Sequence, residues 1–129
     1  LERLIQETGV TPAVNQIELH VDFPQTTMQA VNKRLGILTQ GWTPLGKGLM
    51  DNPTLVRLSE KHNRSPGQIM LRWATQLPAI PLPKSGNPDR MRANLEIFDF
   101  TLDADDLAAI AKLDSNNRLG GNPDTYEEF

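Results

Sequence analysis

Near the end of the chain, Pro83-Lys84-Ser85-Gly86-Asn87-Pro88-Asp89-Arg90 sets a lysine, a hydroxyl and an arginine where an apolar stretch gives way to a helix start. Lysine brings a point charge and arginine a two-pronged donor. A helix start adds free N–H groups and the positive end of a dipole. Together they make a plausible phosphate pocket. The same residues also suit a solvated basic turn. Asn94 follows Arg90 by one helical turn on the same face, where its amide could read a base edge or simply meet water. No Gly-x-Gly-x-x-Gly or Walker sequence is present, so any nucleotide here is not held in the Rossmann manner.

Two more residues invite a chemical reading. In Ala13-Val14-Asn15-Gln16-Ile17-Glu18-Leu19-His20 the alternation of a strand puts Val14, Gln16, Glu18 and His20 on one face and Asn15, Ile17 and Leu19 on the other. A buried parallel strand normally reads as a near-continuous apolar run. An amide and a carboxylate towards its carboxyl end therefore need partners. Ligands of α/β folds sit at that end of the strands, which makes Gln16 a ligand candidate or a structural amide holding a loop. Trp42 closes the next strand before Pro44-Leu45-Gly46. Its indole could stack on a flat heteroaromatic ring or fill a core. Trp73, in the middle of an apolar helical stripe, reads as core.

The elements that must position these groups alternate. A helix over 1–8 stops at Gly9; it has no capping residue before it and looks already under way. Strands are expected at 13–19, 37–43 and 79–83, the last weakened by its prolines. Helices are expected at 25–35, ended by Gly36, and at 53–62, with Asn52 as cap and Pro53 in its first turn. Others follow from Ser65-Pro66, with Ile69, Met70, Trp73 and Leu77 on one face, and from Asn87-Pro88, with Met91, Leu95 and Phe98 buried. A last helix runs from 103 to 113, its first turn carrying Asp105 and Asp106 where the dipole favours acids. Residues 114–129 read as a tail. Strands separated by helices imply an α/β fold with a parallel sheet, and three strands cannot close a barrel.

Composition narrows the partners. The 129 residues are 38% apolar and 22% charged, with 13 basic and 16 acidic side chains and a net charge of −3. That is ordinary for a globular chain. It gives no reason to expect nucleic acid or an anionic membrane as partner, and no apolar run approaches the length of a membrane span. Without cysteine there is no disulfide or thiolate metal site, and His20 and His62 stand too far apart to suggest a metal. The expected compartment is the cytoplasm.

With those residues in view, the chain resembles the aldo-keto reductases. The resemblance rests on Pro12-Ala13-Val14-Asn15-Gln16-Ile17-Glu18-Leu19-His20, Trp42-Thr43-Pro44-Leu45-Gly46, Pro81-Leu82-Pro83-Lys84-Ser85 with Arg90 and Asn94, and Phe98-Asp99-Phe100. These match in order and spacing along nearly the whole chain. Lys112-Leu113-Asp114, Arg118-Leu119-Gly120 and Asn122-Pro123-Asp124 are similar to the bacterial 2,5-diketo-D-gluconate reductase branch.

The resemblance implies the C-terminal portion, about strands six to eight with their helices, of a (β/α)8 TIM barrel, one partial domain over 1–129 with 114–129 as its tail. It implies NADPH as cofactor and hydride transfer to an aldehyde or ketone, such as 2,5-diketo-D-gluconate or a small dicarbonyl. By position, Gln16 would bond the nicotinamide carboxamide and Trp42 would stack on the nicotinamide ring. Leu45, Gly46 and Lys47 would cross the pyrophosphate. Lys84, Ser85 and Arg90 would hold the 2′-phosphate, and Asn94 would contact adenine. Many relatives have glutamate where this chain has Ala93, which removes one adenosine contact. The tail would line the substrate pocket. The family's catalytic aspartate, tyrosine, lysine and histidine belong to the first half of the barrel and match no position here; Tyr126 fits no catalytic motif and His20 is not the catalytic histidine. The chain alone is therefore expected to be inactive, general acid assistance being worth about 100- to 10,000-fold. Its expected partners are a small carbonyl substrate and either the remaining N-terminal half of a barrel or further copies of itself through open sheet edges. The alternative is a non-catalytic cofactor-sensing or interaction protein of the same fold.

Overall fold

The structure, a computed structural model, describes residues 1–125. Three strands, β1 (Val14–Glu18), β2 (Leu38–Trp42) and β3 (Ala79–Leu82), form one parallel sheet in the order β1-β2-β3. Six helices accompany them: α1 (Glu2–Thr8), α2 (Thr26–Leu35), α3 (Pro53–His62), α4 (Pro66–Gln76), α5 (Pro88–Leu95) and α6 (Ala104–Ala111). Tyr126 lies outside the described residues.

Local chemistry explains most boundaries. Gly9 and Gly36 end α1 and α2 in left-handed conformation, which a Cβ disfavours. Asn52 accepts the N–H groups of Thr54 and Leu55, and Pro53 fills the first helical position of α3. Ser65 and Gln68 make a reciprocal capping box at α4, as Asp103 and Asp106 do at α6.

The register Val14↔Leu38, Gln16↔Gln40, Glu18↔Trp42, with Gln40↔Ile80 and Trp42↔Leu82, sorts the sheet into two faces. One carries Asn15, Ile17, Thr39, Gly41, Ala79 and Pro81 and is covered by helices. There the core gathers Leu19, Leu55, Leu58, Ile69, Met70, Trp73, Leu102 and Ile110. Trp73 is core, as its place on an apolar helical stripe requires. Asn32, fully buried on α2, fastens helix to sheet: its oxygen accepts from Asn15 Nδ2 at 3.1 Å and its nitrogen donates to Thr39 Oγ1 at 2.9 Å. The opposite face is open except at its carboxyl end, where Glu18 is buried, and Val14, Leu38, Ile80 and Leu82 are exposed on it.

That asymmetry corrects two expectations. Gln16 is not a buried amide; it is exposed on the open face. Nor are Met91, Leu95 and Phe98 buried: they are 49%, 73% and 68% exposed. α5 packs chiefly on α4, and of that stretch Ile97 is enclosed. Met91, Leu95 and Phe98 instead line an open groove with Ile80, Pro81 and Pro83.

Gly41 sits where β2 meets the core. A Cβ there would lie 2.9 Å from Leu19 Cβ and 3.1 Å from Leu19 Cδ2. Gly41→Ala should therefore cost about 1–3 kcal/mol through overpacking. The check is urea denaturation, with a lower midpoint and an unchanged slope expected.

Candidate functional site

A parallel sheet turns all its strand ends one way, so the segments after Glu18, Trp42 and Leu82 emerge together. Gln16 and Trp42 share the open face and are diagonal neighbours on adjacent strands, two residues apart in register. Gln16 Nε2 reaches Gln40 Oε1 at a long 3.4 Å, which leaves its amide available. Trp42 is half-buried. Beyond it Thr43 takes a positive φ and the N–H of Gly46 closes a turn on the carbonyl of Thr43. Leu45 packs into the core, Gly46 is half-buried with φ +57°, and Lys47 is exposed at the crest of the loop.

The basic cluster stands after β3. Lys84 and Arg90 are exposed, and among the described residues neither makes an ion pair. Arg92 is tied to Asp89 at 3.4 Å, so Arg90 is the free guanidinium of α5. Ser85 Oγ accepts the N–H of Asn87 at 3.1 Å and lies 3.3 Å from the carbonyl of Asn87, a local turn. Asn87 in turn caps the N–H of Arg90 at 3.0 Å. Asn94 is half-buried at the margin of the groove beside Met91 and Phe98. Sheet and loops thus bring Gln16 close to Trp42, and Lys84, Ser85 and Arg90 to one helix start. Asn94 stands one turn further along.

Gln68 escaped the sequence reading. Its Nε2 donates to the carbonyls of Ala93 and Glu96, each at 3.0 Å, so one buried amide holds the end of α5 on the start of α4. Gln68 stands three residues after Ser65, the spacing of a capping box, which could have signalled its role at α4; nothing local signals its reach to α5.

A second network was half legible. Glu18 is buried, and its Oε1 faces His20 Nε2 at 2.8 Å. The N–H of Leu119 donates to Oε1 at 2.6 Å and that of Gly120 to Oε2 at 2.9 Å. His20 Nδ1 contacts Asp22 Oδ1, and Asn117 Nδ2 donates to Asp22 Oδ2 at 2.8 Å. Burial resists ionisation of Glu18, but the bonds from His20, Leu119 and Gly120 outweigh it and hold the carboxyl below its ordinary value. Asp106 behaves alike: burial is opposed by bonds from Lys61 and His62, and the carboxyl is held low. Among the described residues no group of His, Asp and Glu has an arrangement fit to hold a metal ion.

Comparison with known proteins decides the kinship. The model of the aldo/keto reductase family matches residues 1–115. The chain belongs to that family. It is 46% identical over 127 residues to an aldo-keto reductase of Mycolicibacterium smegmatis, covering 98% of this chain and 46% of that protein. It is 45% identical over 131 residues to 2,5-diketo-D-gluconic acid reductase B of a Corynebacterium species, covering all of this chain and 47% of that one. The solved structure of a Gox0644 variant in complex with NADPH superposes with a TM-score of 0.95 at 44% identity, over 99% of this chain and 48% of that one. The chain spans about half the length of the curated relatives it matches. Its α/β fold with a small parallel sheet superposes on solved aldo-keto reductase structures. Among the described residues no helix is long and apolar enough to cross a membrane.

The depressed carboxyls set the acid response of this chain. A group whose folded pKa is lowered stabilises the fold above its unfolded value and loses that contribution as pH falls through the folded one. Stability should therefore be level above about pH 5 and decline below it, through the carboxylate range. Urea midpoints measured at a series of pH values test this, and Glu18→Gln should flatten part of the decline.

Proposed function

We propose that this chain is the cofactor-holding part of an NADPH-dependent carbonyl reductase. The observation that carries the reading is the unpaired Lys84 and Arg90 beside the start of α5, in a family whose solved members include NADPH and NADP complexes. The residues fit the group. Two free cations and a capped helix start suit a 2′-phosphate. A half-buried indole and an available amide, two residues apart in register, suit a nicotinamide and its carboxamide.

Lys84 and Arg90 would hold the 2′-phosphate, which NADH lacks. Ser85 would join them by giving its hydroxyl proton to the phosphate instead of the Asn87 carbonyl. Asn94 would meet the adenine. Leu45, Gly46 and Lys47 would pass over the pyrophosphate, where the Lys47 ammonium answers its charge. Trp42 would flank the nicotinamide and Gln16 would bond its carboxamide, fixing the ring's orientation. When bound, the reduced nicotinamide supplies the hydride that a carbonyl carbon accepts. This chain's residues would bind and orient the cofactor, and a proton delivered to the carbonyl oxygen completes the reduction. The substrate would be an aldehyde or ketone, with 2,5-diketo-D-gluconate and small dicarbonyls as the first to try, given the relatives' names.

Binding of NADPH and NADH, followed by the fluorescence of Trp42, tests the phosphate assignment. Lys84→Met and Arg90→Leu should each weaken NADPH binding about 10- to 100-fold, as expected for a hydrogen bond to a charged group, and leave NADH nearly unchanged. Equal losses for both dinucleotides would refute the assignment. The reductase reading is tested separately, by carbonyl-dependent NADPH oxidation when this chain is joined to the half of a relative that it does not match.

A further inference from the structure

We propose that Glu18, with His20 and Asp22, is a latch that fastens residues 115–120 across the strand ends and thereby fixes the indole of Trp42. Glu18 is a positioning residue for that ring. The inference goes beyond the cofactor reading and stands without it.

Residues 115–120 contain no helix or strand; 115–117 are exposed and 118–120 half-buried, so apolar burial alone does not hold the segment down. Polar bonds do. Ser115 and Asn117 donate their N–H groups to the carbonyl of Asp22 at 3.1 and 3.2 Å. The Asn117 side chain donates to the Asp22 carboxylate, and the Arg118 guanidinium lies 4.7 Å from the centre of the Phe23 ring. Leu119 and Gly120, two successive N–H groups, then bind the two oxygens of the Glu18 carboxylate. His20 completes the set by facing Glu18 with one ring nitrogen and Asp22 with the other. The dependence runs both ways. A buried carboxylate is costly unless its lone pairs are filled, and here the tail's own backbone fills them.

The latch reaches Trp42 through Gly120. Trp42 pairs with Glu18 in the sheet, and the Gly120 backbone lies against the outer edge of the indole's six-membered ring. A Cβ at position 120 would overlap Trp42 Cη2, and would stand 3.1 Å from Glu18 Oε2 and 3.2 Å from Trp42 Cζ2. Only a residue without a side chain can satisfy the carboxylate and touch the ring together.

The test uses the whole chain in a Trp73→Phe background, which leaves Trp42 as its one tryptophan. Glu18→Gln keeps the shape but replaces an acceptor oxygen with an NH2 facing donors. Gly120→Ala keeps the carboxylate but places a methyl on the indole. Both should speed amide exchange across 115–120 by about 10-fold or more, as the loss of charge-assisted bonds implies. Both should also raise acrylamide quenching of Trp42 about 2-fold, while the amides of α4 keep their protection. Unchanged exchange in either folded variant overturns the latch. So does a loosened tail with Trp42 quenching unaltered, since the ring would then not depend on it. If Glu18→Gln loses α4 protection as well, Gly120→Ala decides. Loss of α4 protection in both would overturn the proposal, because the segment would then be part of the core.

Discussion

Parallel pairing is the constraint on which this molecule turns. Every strand runs the same way, so every strand must be followed by a return crossing, and every carboxyl end faces the same side. Glu18, Trp42 and Leu82 are register partners in one row. The chain therefore cannot place the Trp42 loop without also placing the 20–25 turn on one side and the Lys84–Arg90 segment on the other. The helices, with Asn32 bridging Asn15 and Thr39, hold the opposite face rigid, so the row is fixed from behind.

At those strand ends the charges are sorted by environment. The carboxylates of Glu18 and Asp22 are buried, and bonds from backbone N–H groups, an asparagine and a histidine offset their desolvation. The cations of Lys84 and Arg90 are exposed and unpaired among the described residues. A buried, satisfied anion serves structure, because its lone pairs are already taken. An exposed, unsatisfied cation can still exchange water for a ligand. That difference, more than residue type, separates the buried network at the tail from the exposed cluster proposed for a phosphate.

What could be read from the sequence followed from the range of the forces involved. Asn52-Pro53, Ser65-Pro66 and Asn87-Pro88 announce helix starts because caps act within a few residues, and all three helices begin there. The strands were legible from their composition, and the parallel sheet from their alternation with helices. Gln16, Trp42 and Lys84 could be picked out as residues at strand ends. The burial of α5 could not, since Met91, Leu95 and Phe98 have the spacing of a core face but no element to cover it. Nor could the partners of Glu18 be found: Leu119 and Gly120 lie about a hundred residues away, and they answer with backbone N–H groups, which carry no sequence signal. The family resemblance reached further than periodicity, because motifs in register encode a tertiary arrangement that local rules do not.

The acidic balance of the chain does not oppose an anion at the basic cluster. At physiological ionic strength the field of an exposed charge fades over about 8 Å, so a phosphate responds to its immediate neighbours rather than to the net charge of −3. Asp89 is the nearest acid in sequence, and it is engaged with Arg92. That pairing leaves Arg90 and Lys84 as a local excess of two positive charges, next to the positive end of α5. A basic protein would attract phosphates everywhere on its surface. Two cations without ion pairs beside a single helix start concentrate that attraction there, which is the selectivity that the proposed recognition of one distinguishing phosphate requires.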